Sequence, residues 1–317
     1  MAEGDRQTTR FFTPRRVLLQ LLGFSVGLAL LIWVIKSAAA NGQWQKVFQA
    51  DPKLVIALIS FSLLSSILNG STFWITVQPI KRLQFWHMQW LNLAGNMLNY
   101  APIRLGAISR VMYHLRVDGL TLLQITAWFG MILYVLMLGV GSCVLATLAR
   151  PSIDWIWAAL VVGQMILGGF LTRFFVGHPL IVKHGRGIDR MLSEHRPLWG
   201  AIILRLADIG AFTGRMAIAL MILDITLPYS NIIILALVAF LAQLAPFARV
   251  GFRESCVWLV AARLGESSGG IGDNVPWEQL ALIESAGEAI IFIPGGAIAL
   301  LWYRKRWRES SKPAGED

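Results

Sequence analysis

Charge is what this chain has little of. Only 15% of its 317 residues are Asp, Glu, Lys or Arg, against about 25% in a soluble domain. That excludes a solvated globular surface. With 56% hydrophobic residues and a mean hydropathy of +0.61, the chain reads as an all-α polytopic membrane protein. Cysteine is scarce too. Cys143 and Cys256 lie in separate apolar segments, which excludes a disulfide framework. His87, His114, His178, His184 and His195 show no zinc spacing, so neither a metal nor another cofactor is expected. The net charge of +10 does not indicate nucleic acid, because the basic residues are not gathered on one soluble face. No segment outside the apolar region is long enough for a soluble catalytic module, so the chain is not expected to be an enzyme. The expected organisation is a cytoplasmic segment over residues 1–16, one integral membrane domain over 17–303 and a basic cytoplasmic tail over 304–317.

What is abundant is apolar sequence of spanning length. Residues 17–35, 54–77, 122–148, 153–176, 199–223 and 280–303 are each long enough to cross about 30 Å of hydrocarbon at about 1.5 Å per residue. The first run exceeds the roughly 7–15 residues of a cleaved signal sequence, so it is an uncleaved span. Two further apolar runs are short. Residues 85–100 would reach roughly 24 Å before Pro102, and residues 232–244 roughly 20 Å before Pro246. A more polar half-helix follows each, over 107–117 and 252–264. We expect about six full transmembrane helices and two re-entrant or broken helical hairpins. Irregular backbone at membrane depth is tolerated only where protein buries it or a wet cavity receives it.

The basic residues orient this arrangement. With both hairpins returning to the side they came from, one side collects 18 Lys and Arg, the other 7, and three lie within spans. The bias places both termini in the cytoplasm, in a bacterial inner membrane. Three spans separate the hairpins, so they enter from opposite faces as an inverted repeat. Secondary transporters build midplane sites from broken helices arranged in this way.

The hairpins carry the candidate site. In "NYAPIRLGAISR", Pro102 breaks the helix, Arg104 follows, and Gly106 and Arg110 open the next helix. A helix start offers free N–H groups and a positive dipole end. Arginine adds a fork suited to phosphate, and glycine permits close approach. In "QLAPFARVGFRES" the plan returns with Arg249, Gly251 and Arg253. Both sets suit an anionic lipid headgroup; the alternative for the first is a span that ends at the cytoplasmic interface, where arginine snorkels. The span 199–223 carries Arg205, Asp208 and Arg215 within an arc of about 80°, facing the interior either as an ion-pair network or as a headgroup path. Glu254, Glu284 and Glu288 complete the intramembrane charges. Glu284 and Glu288, about 40° apart in projection, either neutralise Arg249, Arg253 or Arg215 or share a proton.

"LNLAGNMLNYAPIRLGAISRVMYHL", "GFRESCVWLVAARLG" and "AIIFIPGGAIALLWYRKR" together resemble the lysylphosphatidylglycerol synthase transmembrane region family of flippase-like membrane proteins. The resemblance runs from about residue 15 to residue 306. It implies movement or supply of lipids, and it implicates Pro102, Arg104, Gly106, Arg110, Gly251, Arg253 and Glu254. The chain departs from the family pattern where Ala107 replaces a usual Glu, Arg249 a small residue, and Glu284 an Arg. The expected function is therefore lipid handling, as a translocase for an anionic or phosphate-bearing lipid, with membrane lipids as the partners. The alternatives are an ion-coupled transporter of a small solute and an accessory subunit of a lipid-synthesis enzyme or glycosyltransferase.

Overall fold

A computed structural model describes residues 14–40, 47–101, 105–150, 152–176, 194–244, 251–267 and 275–309. Ten helices and no strand occur among them: α1 (Pro14–Ala40), α2 (Pro52–Val77), α3 (Phe85–Leu98), α4 (Leu105–Arg116), α5 (Leu122–Ala149), α6 (Trp155–Val176), α7 (His195–Ile222), α8 (Tyr229–Ala242), α9 (Phe252–Ser267) and α10 (Trp277–Glu309). This is an all-α polytopic membrane protein.

Local sequence explains the helix starts. Asp51 accepts a bond from the Lys53 N–H (2.9 Å), and Pro52 occupies a first-turn position where no N–H is needed. Thr121 and Gln124 form a reciprocal capping box before α5. Asp154 accepts from the Ile156 and Trp157 N–H groups, both at 3.0 Å, and so starts α6. The neighbouring Arg150 guanidinium holds the Asp154 carboxyl down to about 2.

Helices α1, α2, α5, α6 and α10 are long and apolar enough to cross a membrane. The sixth expected span, α7, has 28 residues and the length to cross, at roughly 42 Å. Besides Arg196 in its first turn, it carries three charges along its length. They are covered by protein, with Arg205, Asp208 and Arg215 at most 3% exposed. The remaining helices, α3, α4, α8 and α9, have 14, 12, 14 and 16 residues. At most roughly 24 Å long, none of these crosses the hydrocarbon alone. They are the four arms of the two hairpins. α10 runs past residue 303 to Glu309, so the start of the basic tail is helical.

Side-chain contacts fix which helix ends lie together. At one end, His87 of α3 and Tyr113 of α4 pack on Trp302 near the end of α10, and Trp199 at the start of α7 packs on Phe170 of α6. At the other, Ser37 of α1 bonds Glu278 at the start of α10 (2.7 Å), and Gly265 of α9 lies against Trp277. Hairpin α3–α4 thus rises from one end and hairpin α8–α9 from the opposite one. Neighbour relations repeat as well. Packing of α2 on α3 and α5 matches that of α7 on α8 and α10; α3 on α4 matches α8 on α9; α4 on α5 matches α9 on α10; and α3 on α10 matches α8 on α5. The closely packed α2–α7 pair lies at the centre of this exchange.

Candidate functional site

The inner ends of α3, α4 and α8 meet at one cavity of about 320 Å³. Its wall takes Asn96 and Asn99 from the end of α3, Gly106 and Arg110 from the start of α4, and Gln243 and Leu244 from the end of α8. The middles of α2 (Ser65, Asn69), α5 (Ile132, Leu136), α7 (Arg205, Asp208) and α10 (Glu288, Phe292) supply the rest. Because these positions lie halfway along four long helices, the cavity is at mid-depth. Leu133 of α5 lines it too, yet is 49% exposed, so the cavity reaches the outer surface beside α5.

Besides Arg110, the buried charges in and next to the cavity fall into three groups. Arg205 donates to Asp208 (2.8 Å), which also accepts from Ser65 (2.6 Å), both bonds reaching the cavity wall. Arg253 contacts both Glu284 and Glu288; Arg215 contacts Glu284 and lies 3.8 Å from Glu288. The α7 charges that share a face in sequence therefore split. Asp208 serves Arg205, while Arg215 turns to the carboxylates of α10. Glu284 and Glu288 together balance Arg215 and Arg253. Glu254 accepts from the Gly251 N–H (2.6 Å) and from Ser285, capping α9 from within.

Arg110 stands apart. It is 8% exposed, lines the cavity, donates to Asn92 Oδ1 (3.1 Å) and lies 4.2 Å from the Phe73 ring centroid. Among the described residues no carboxylate pairs with it. Buried arginine without a counter-charge is unfavourable in low dielectric, and the space beside it is the cavity.

Two glycines shape the tips. A Cβ on Gly106 would lie 1.8 Å from the Gly95 carbonyl oxygen, so only glycine lets α4 press against α3. Gly251 has φ +84°, and a Cβ there would lie 1.6 Å from the Gly27 carbonyl oxygen of α1. The close approach expected at both glycines is made by neighbouring backbone.

Of the residues expected at the site, Gly106, Arg110, Arg205, Asp208 and Glu288 come together at the cavity. Arg215, Arg253 and Glu284 form an ion-pair cluster that also takes in Glu288, and Glu254 bonds Gly251 and Ser285 beside it. Pro102, Arg104 and Arg249 lie outside the described residues. Sequence reasoning missed the polar wall of Asn69, Asn96 and Asn99, and Asn92 bonded behind it. A signal was present: positions 92, 96 and 99 recur at helical spacing inside an apolar run.

Compared with family models, curated proteins and solved structures, the chain matches none. The likeness to the flippase-like family rests on the quoted motifs alone.

Proposed function

We propose that this chain is a lipid-handling membrane protein, a translocase that accepts the headgroup of an anionic or phosphate-bearing lipid in the mid-depth cavity. The observation that carries this reading is Arg110, a buried guanidinium facing the cavity with a neutral amide and an aromatic face as its partners. A phosphate would supply the missing counter-charge through two-pronged contact. The polar wall would hydrate or bond the rest of the headgroup. The lipid moves without being chemically changed. On this reading the protein resides in a bacterial inner membrane with both termini in the cytoplasm, the orientation favoured by the basic-residue bias.

The test is movement of a headgroup-labelled anionic phospholipid in vesicles carrying the purified protein, read with an external quencher. Arg110→Gln should slow movement at equal protein, and Arg110→Lys should retain part of it. Movement at the parental rate in Arg110→Gln would refute the phosphate role.

A second reading, ion-coupled transport of a small anionic solute, has one observation in its favour. A volume of about 320 Å³ is at the small end of ligand sites, which run about 300–1,000 Å³, and Asp208 and Glu288 border it. Uptake of a soluble anion into the same vesicles, with no lipid movement, would select it.

A further inference from the structure

We propose that Asn92 makes the cavity selective for anions, by holding Arg110 in place without neutralising it. The inference rests on Arg110 being the anion-binding group and adds the residue that keeps its charge available.

Arg205, Arg215 and Arg253 each contact a carboxylate. At Arg110 the corresponding place is taken by the amide oxygen of Asn92, which is 1% exposed. Its orientation is fixed by four bonds. Oδ1 accepts from Asn69 (3.2 Å), Asn96 (3.3 Å) and Arg110 (3.1 Å), and Nδ2 donates to the Ser66 carbonyl oxygen (3.1 Å). Flipping the amide would set its NH₂ against three donors, so only one orientation satisfies the network. Phe73 adds attraction from the ring face, again without formal charge. The guanidinium is therefore positioned by neutral groups and keeps its full positive charge. An aspartate has nearly the same shape as asparagine. At position 92 it would pair with Arg110 and cancel the field that draws an anion into the cavity. Asn92 is a positioning residue on this account, acting through Arg110.

The experiment uses the full chain in detergent and in vesicles. The soluble probe is glycerol phosphate, with glycerol as the uncharged control, read as an anion-dependent rise in unfolding temperature. The membrane probe is headgroup-labelled phosphatidylglycerol in phosphatidylcholine vesicles. Asn92→Asp should fold with equal or higher stability without anion. It should lose at least about tenfold in apparent affinity for glycerol phosphate, the size of one charge-assisted contact. It should slow lipid movement in step. Asn92→Ser, which removes the amide's hold on Arg110 without adding charge, should fall short of the parent but lose clearly less than Asn92→Asp. If Asn92→Ser lost as much as Asn92→Asp, the amide would be setting geometry alone, and the proposal would fall. If Asn92→Asp fails to fold, Asn96→Asp puts the same charge on the cavity wall one turn along α3 and must weaken binding likewise. A parental response in whichever aspartate variant folds overturns the proposal. Arg110→Gln separates the levels. Loss there with retention in Asn92→Asp removes only the role of Asn92, whereas retention in both removes the anion site itself.

Discussion

Asp208 is the residue on which the buried charge of α7 depends. It offers one oxygen to Arg205 and the other to Ser65 and is 1% exposed. Removing one partner of a buried pair typically costs about 3–5 kcal/mol, because the other charge stays buried. Asp208→Ala should lose stability in that range, measured by denaturant unfolding in detergent. An unchanged unfolding midpoint would show that Arg205 is neutralised by other groups. The cluster at Arg253 makes a different prediction. Arg253→Gln leaves Glu284 and Glu288 facing one another with Arg215 alone, and like charges in low dielectric destabilise the site. Arg253→Gln combined with Glu288→Gln keeps the Arg215–Glu284 pair, so the double variant should be less destabilised than the sum of the two single variants. Additive losses would mean that Arg253 and Glu288 do not interact.

Among the helices, the four short ones are the informative ones. Their lengths follow from sequence, since an apolar run that stops after 14 residues leaves a helix end inside the membrane. That end must be satisfied by protein or water. In the second hairpin, the Glu254 carboxylate takes the Gly251 N–H at the start of α9, while Gly251 itself packs on Gly27 of α1. Gly251→Ala should destabilise the protein by at least about 1–3 kcal/mol through overpacking alone, besides the strain of positive φ. Gly130→Ala is the matched control. Nothing lies within 4 Å of a Cβ there, so its unfolding midpoint should stay at or slightly above the parent. Equal behaviour of the two variants would show that the Gly251–Gly27 approach is not required.

For the whole molecule, the arrangement of helix ends agrees with six crossings and two returning hairpins, and the packing relations repeat between α2–α5 and α7–α10. Orientation in a membrane is a separate matter, settled by labelling. In a variant lacking Cys143 and Cys256, cysteines placed at Gly185 and Pro313 should be shielded from an impermeant thiol reagent in intact cells. One at Tyr229, which is 74% exposed at the start of α8, should react. Reaction at Gly185 from outside would reverse the basic-residue argument.

By itself the sequence determined the helical class, the long apolar spans, the interruption of the two short runs and the inward face of Arg205, Asp208 and Arg215. These follow from hydrophobic length, proline chemistry and helical period, which act within one segment. Tertiary structure decided the partners. That Arg215 meets Glu284 and not Asp208, that Arg253 is neutralised while Arg110 is not, and that the inner ends of α3, α4 and α8 reach one cavity all depend on helices remote in sequence. Periodicity reports only which way a side chain faces. The charge it meets there is set by how α2, α3, α7 and α10 cross, and a charged group's chemistry in low dielectric is governed by that neighbour.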